Sequence, residues 1–112
     1  MKYPKFVIKK SINDQFYFNL WSVDEEIVFK SEMYTTKQNC KNGIDSVKKN
    51  APEDKNYEKR TTENAKYYFV LKSSQNGQII GVSSFYSTIS ERDGGIEIVK
   101  RDAPKAETED LS

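Results

Sequence analysis

A chain of 112 residues with 18 Lys+Arg, 17 Asp+Glu and no histidine carries a formal charge of +1. That length holds one domain burying roughly 60–68% of its unfolded surface, and the balanced charge excludes the strong positive field that phosphate-backbone binding needs. Without histidine the chain lacks the commonest general base near neutral pH and the commonest metal ligand, while six Phe, seven Tyr and one Trp exclude a disordered polypeptide.

From the N-terminus, Lys5–Lys10 alternates weakly, with Phe6 and Ile8 on one side and Val7 and Lys9 on the other. Ser11-Ile12-Asn13-Asp14 is a turn, because Asn and Asp tolerate turn dihedrals. Gln15–Trp21 alternates clearly, placing Phe16, Phe18 and Leu20 on one face and Tyr17, Asn19 and Trp21 on the other, which reads as a strand. Val23-Asp24-Glu25 turns the chain into Glu26–Ser31, where Ile27 and Phe29 share a face. Three strands joined by short turns make an antiparallel meander. Thr35 or Thr36 then caps a helix whose apolar stripe is Cys40, Ile44, Val47 and Ala51, and Pro52 ends it.

After the joint Pro52–Asn56 the second half replays the first. Tyr57–Arg60 answers Phe6–Lys9, Tyr67–Leu71 answers Phe16–Leu20, and Ile79–Ser83 answers Ile27–Ser31. Ser74-Gln75-Asn76-Gly77 carries the Asn-Gly hairpin signal, and Thr88-Ile89-Ser90-Glu91 has the form of a capping box opening a second helix to about Asp102. Gly43–Pro52 returns as Gly95–Pro104 at a constant offset, with both copies ending in Ala-Pro. Such a match is an internal duplication. Residues 1–112 thus form a single domain with repeats at 5–52 and 57–104, and 105–112 is either a frayed acidic tail or a short edge strand. The fold class is α+β: two β-β-β-α repeats in one antiparallel sheet, with both helices on one face.

Phe-Tyr-Phe-x-Leu (16–20), Lys-Ser-Glu-x-Tyr-x-x-Lys (30–37) and Asn-Gly-Ile-x-Ser-Val-Lys-Lys-Asn-Ala-Pro (42–52) resemble the YegP-like family of small bacterial tandem-repeat proteins. Lys66-x-Tyr68-Phe69-Val70-Leu71-Lys72 and Asn76-Gly77-x-x-Ile80-Gly81-x-Ser83 look like that family's second repeat, and the likeness covers roughly residues 5–104. The resemblance implies a pseudo-twofold axis and C-terminal strands exchanged between units. It implies no activity, the family being of uncharacterised function. Five positions depart from the pattern: Glu25 replaces a turn glycine, Tyr17, Asn19 and Trp21 replace basic residues on the second strand, and Ile89 replaces the lysine of Tyr-x-x-Lys in the second half.

Few reactive groups are available. Cys40 lies on the apolar stripe, where a structural thiol is expected. No zinc-ligand spacing, P-loop or GxGxxG occurs, so no metal, cofactor or catalytic residue is assigned. An enzyme would need two carboxylates converging in a cleft. Gly43 and Gly95 occupy the same mid-helix position, where glycine is costly; close packing of the helix is the expected reason, an open backbone surface for a ligand the alternative. Tyr34 and Tyr86 each precede a cap. Either their rings pack on the helix start with the hydroxyl on a backbone partner, or they form symmetric pockets holding a small anion with the helix N-terminal amides.

The helices cover only one sheet face. Tyr17, Trp21, Tyr68, Val70 and Lys72 then point the other way, with Val28 and Lys30 nearby, and form the candidate interaction surface. Terminal segments or a second copy could cover it. The expectation is a non-enzymatic cytoplasmic binding or protein-interaction module, monomeric or homodimeric, without a membrane span, since no apolar run approaches about 18 residues. A protein partner ranks ahead of single-stranded nucleic acid stacked on the aromatic face, and a carboxylate-based enzyme ranks last.

Overall fold

The computed structural model describes residues 2–112. Along the chain run β1 (Lys5–Lys10), β2 (Phe16–Trp21), β3 (Ile27–Ser31), α1 (Lys37–Asn50), β4 (Tyr57–Thr61), β5 (Tyr67–Lys72), β6 (Ile79–Ser83), α2 (Ile89–Asp102) and β7 (Glu107–Asp110). All seven strands share one sheet in the order β4-β5-β6-β3-β2-β1-β7. The six repeat strands pair antiparallel. The acidic C-terminal segment adds β7 beside β1 in parallel, which makes the sheet mixed. Among the described residues no helix is long and apolar enough to cross a membrane.

Each meander forms half of the sheet, and the halves meet at β3 and β6, where Lys30 pairs with Val82. These two residues occupy corresponding repeat positions, so the pseudo-twofold axis passes between them. The strand after each helix crosses over. β4 follows α1 but pairs with β5 of the second half, and β7 follows α2 but pairs with β1 of the first.

Phe6, Ile8, Phe18, Leu20, Phe29, Phe69 and Leu71 face the helices and are fully buried. They meet Cys40, Ile44, Val47 and Ala51 of the α1 segment and Ile96, Val99 and Ala103 of the α2 segment in one core. Thr36 caps α1 through the Asn39 N–H, and Thr88 with Glu91 forms the reciprocal capping box on α2. The third strands depart from simple alternation. Pairing runs Leu20 with Phe29 and then Trp21 with Ile27, leaving Val28 as a bulged residue. Val28 therefore enters the core at 4% exposure while Ile27 turns outward at 40%, reversing the faces expected for both. β6 repeats the bulge at Ile80. Three consecutive apolar residues, Ile27-Val28-Phe29, carry no alternation from which a bulge could be read.

The hairpin turns match in pairs. Asp14 and Ala65 take φ of 62° and 61°, and Glu25 and Gly77 take 62° and 70°. Glu25 thus holds the left-handed conformation that its repeat counterpart gives to glycine.

Two buried polar side chains tie the halves together. Asn50, at the end of α1, accepts the Ser74 N–H at 2.9 Å in the β5–β6 turn. Asp102, its counterpart on α2, accepts the Val23 N–H at 3.2 Å in the β2–β3 turn. Arg101 donates to both oxygens of Asp102, at 2.9 Å from Nη2. Burial works against ionisation of Asp102, yet the hydrogen bonds from Arg101 and Val23 outweigh it and hold the carboxyl below its ordinary range.

The mid-helix glycines have a steric cause. A Cβ on Gly43 would lie 2.3 Å from the Tyr34 hydroxyl, and one on Gly95 would lie 2.5 Å from that of Tyr86. Each helix backbone therefore rests directly on a tyrosine ring. Gly94 has nothing within 4 Å of a Cβ.

Neighbouring glycines should consequently respond with opposite sign. Gly94→Ala is expected to raise stability by about 0.5–1 kcal/mol through helix propensity, whereas Gly95→Ala lowers it, both read from denaturant midpoints. For the cross-tie, Asp102→Ala leaves the Val23 amide without its acceptor and should cost about 2 kcal/mol at neutral pH; Asp102→Asn, which copies Asn50, should cost less. Because the folded-state pKa is depressed, the ionised Asp102 contributes stability above the unfolded value near about 4 and loses it as pH falls through the folded value. The stability gap between the natural chain and Asp102→Asn should therefore narrow on acidification below about pH 4.

Candidate functional site on the open face of the sheet

The face away from the helices is built by the outward-pointing alternates of the strands. A continuous cross-strand row runs through Glu109, Val7, Asn19, Lys30, Val82, Val70 and Glu58. Val7 and Val70 are buried under their neighbours at 2% and 1% exposure. Ion pairs close both ends, Lys5 with Glu109 at 2.8 Å and Lys72 with Glu58 at 2.7 Å, and Arg60 joins Glu58 as well. Hydrogen bonds from Lys72 and Arg60 depress the Glu58 pKa, and one from Lys5 depresses that of Glu109. The cations toward the two sides of the face are thus largely neutralised within it.

The middle is different. Tyr17, Asn19, Ile27, Lys30, Val82 and Phe85 line a shallow groove of about 350 Å³ beside the pseudo-twofold axis. Lys30 is exposed, with its Nζ 5.3 Å from the centre of the Tyr17 ring. Phe85 is 61% exposed and meets the half-buried Tyr68 edge-on at 5.1 Å. Tyr17, Lys30 and Tyr68 from the sequence-derived surface are therefore brought to the middle of the face. Phe85 and Ile27 join them unannounced: Phe85 follows the end of β6, and Ile27 is turned outward by the bulge. The one available signal for Phe85 is its repeat counterpart Met33, which is also exposed, at 46%.

Trp21 and Lys72 stand apart from this groove. Lys72 is half-buried and held by Glu58. Trp21 points outward as expected but is half-buried, with Tyr3 tilted against it at 6.0 Å and Lys5 Nζ lying over the Tyr3 ring at 4.6 Å. Its indole N–H is buried without a hydrogen-bond partner. The N-terminal segment thus covers part of the aromatic surface, and Trp21 is more a support than a contact.

Tyr34 and Tyr86 are half-buried on the other face. Tyr34 exchanges backbone hydrogen bonds with Phe16 at 2.7 and 2.8 Å, and Tyr86 does so with Tyr67 at 2.8 and 2.7 Å. Burial raises both hydroxyl pKa values, with Cys40 and Glu32 adding to it at Tyr34 and Glu26 and Glu91 at Tyr86. Carboxylate neighbours and rings seated on glycine favour packing over anion binding at these positions. Cys40 is fully buried and its thiol is pushed up to about 11 by burial, followed by the field of Asp110. Among the described residues no three Asp, Glu or Cys side chains converge as a metal cage.

A supporting role for Trp21 has a measurable signature. Trp21→Phe keeps the apolar packing and removes the unpartnered N–H, so stability should stay within about 1 kcal/mol of the natural chain, while Trp21→Ala should lose about 2–3 kcal/mol. Urea titration of both variants checks this.

Comparison with known proteins agrees with the duplicated architecture. The domain of unknown function DUF1508 matches twice, over residues 11–58 and 63–110. A UPF0339 protein of Pseudomonas aeruginosa is 40% identical over 108 residues, covering 96% of this chain and 97% of its own. The UPF0339 protein YegP of Escherichia coli is 44% identical over 95 residues, covering 85% and 86%. The solution NMR structure of E. coli yegP, a protein of unknown function, superposes with a TM-score of 0.91 at 39% identity, covering 99% of this chain and 95% of that one. A UPF0339 protein structure from Shewanella oneidensis gives 0.89 at 41% identity, with 96% and 90% covered. Two tandem matches, relatives at this level of identity and the shared fold have one meaning: the chain belongs to the DUF1508 family, among the UPF0339 proteins that include YegP.

Proposed function

We propose that this chain is a non-enzymatic, cytoplasmic interaction module whose open sheet face takes a protein partner around Lys30. The observation that carries the reading is the exposure of Phe85 and Ile27, at 61% and 40%, in a groove whose one exposed cation is Lys30. Large apolar side chains beside a single unpaired charge suit a partner offering apolar groups and a carboxylate, with the aromatics as anchors. Stacking of single-stranded nucleic acid is less well supported. Lys5, Lys72 and Arg60 on the same face already serve Glu109 and Glu58, which leaves little positive field for phosphates.

Tyr17, Lys30 and Phe85 can be altered without touching the core. Immobilised natural chain and a Phe85→Ser, Lys30→Glu variant, exposed in parallel to native lysate, should differ in one set of captured proteins, with melting temperatures nearly equal. Identical capture by both, or capture of oligonucleotides that depends on the same residues and weakens with salt, would contradict the reading.

A further inference from the structure

The duplicated sheet has unequal edges. β1 lies between β2 and β7, whereas its repeat counterpart β4 pairs with β5 alone. The seat that β7 occupies beside β1 therefore recurs beside β4, and no strand among the described residues fills it.

The backbone at that edge is set for pairing. The Phe69 N–H turns toward β6 and donates to Ser83 Oγ at 2.9 Å. Lys59 stands opposite Phe69, so Lys59 directs its own N–H and C=O away from β5, toward the free edge. The corresponding groups in the first half are in use: Ile8, the counterpart of Lys59, accepts the Leu111 N–H at 2.9 Å.

Behind the edge, β4 and α2 enclose a groove of about 790 Å³ floored by Tyr57, Lys59, Asp93, Gly94, Ile96 and Glu97. The equivalent groove of the first half brings Thr108 and Asp110 of β7 against Lys41, Ile44 and Asp45 of α1. Ile44 corresponds to Ile96 and Asp45 to Glu97, so the shape is repeated. Gly94 widens the second groove, having open space where a side chain would stand.

The charge is not repeated. In the first seat an acidic strand is held by Lys5 on Glu109 at 2.8 Å and by Lys37 on Asp110 at 2.9 Å, with Lys41 alongside. Their counterparts in the second seat are Asn56, Ile89 and Asp93. The second groove is instead lined by Asp54, Asp93 and Glu97 with Lys59 as its cation, 3.3 Å from Asp93; Arg92 also reaches Asp93 at 3.3 Å, and Lys100 at the rim bridges Asp54 and Glu97. Each feature that secures an acidic strand in one seat is neutral or reversed in the other. A second copy's β7 is the wrong charge for it.

We propose that the groove between β4 and α2 binds an extended, basic segment of a partner protein, added parallel to β4 as β7 is added to β1, with alternate Lys or Arg side chains reaching Asp93 and Glu97. This site lies on the helix side and at the sheet edge, separate from the surface around Lys30.

The full chain, isotope-labelled for NMR, tests it with a capped peptide of alternating Lys and Val as the basic probe and the chain's own Ala-Glu-Thr-Glu-Asp-Leu as the acidic one. Amide shifts should appear at Lys59, Thr61 and Asp93–Glu97 with the basic probe alone, and its affinity should fall as salt rises. Asp93→Lys with Glu97→Lys should weaken binding by roughly tenfold or more. Gly94→Leu, which fills the groove from an unobstructed position, should weaken it independently of charge, and Phe85→Ser should not affect it. Equal binding of the acidic peptide, shifts centred on Lys30, or no shifts along β4 would each overturn the proposal.

Discussion

One hydrogen bond, used twice in opposite directions, governs the architecture. Asn50 ends its helix on the turn of the second half, and Asp102 ends its helix on the turn of the first. A helix that finishes over the opposite half must release its chain there. β4 therefore starts on the far side, where it pairs with β5, and β7 returns to pair with β1, and the sheet order follows from that crossing. The acceptors are buried while the turns they hold are exposed, so each bond anchors a surface turn to the buried end of a helix. Association of the halves thus has a polar, directional component in addition to the shared apolar core.

Much of this was legible. Period-two alternation located β2, the repeat correspondence located β5, the capping-box residues opened α2, and the stripe of Cys40, Ile44, Val47 and Ala51 faced the sheet. The bulges were not legible, because Ile27-Val28-Phe29 and Ile79-Ile80 offer apolar side chains to whichever face the register selects. The cause of Gly43 and Gly95 became visible only with Tyr34 and Tyr86 in place, since close approach is a tertiary fact without a local pattern. The open face was assigned to the right strands, yet Trp21 was covered by Tyr3 and Phe85 exposed beyond a strand end. Neither follows from spacing along the chain. The acidic end read equally as tail or strand, and its ion pairs with Lys5 and Lys37 decide in favour of the strand.

The two faces of the sheet are held by different physics. The helix side is apolar apart from groups such as Asn50 and Asp102, and is closed by packed rings and by backbone contact at glycine. The open side is a mosaic in which buried valines alternate with paired charges. Near the axis that mosaic leaves a cation and apolar groups uncommitted together, because there Lys30 faces Val82 rather than a carboxylate.

Repeat symmetry fails most sharply where the axis meets the core. The counterpart of Phe29 is Gly81, and a Cβ on Gly81 would fall 2.5 Å from the Phe29 ring and from the Lys30 carbonyl. One ring fills a space that two equivalent positions share. Two first halves brought together would set two phenyl groups against each other, and two second halves would leave a hole. After duplication the copies diverged into complementary parts, a plug and its socket. Such parts cannot be interchanged, so neither half can stand in for the other in this sheet.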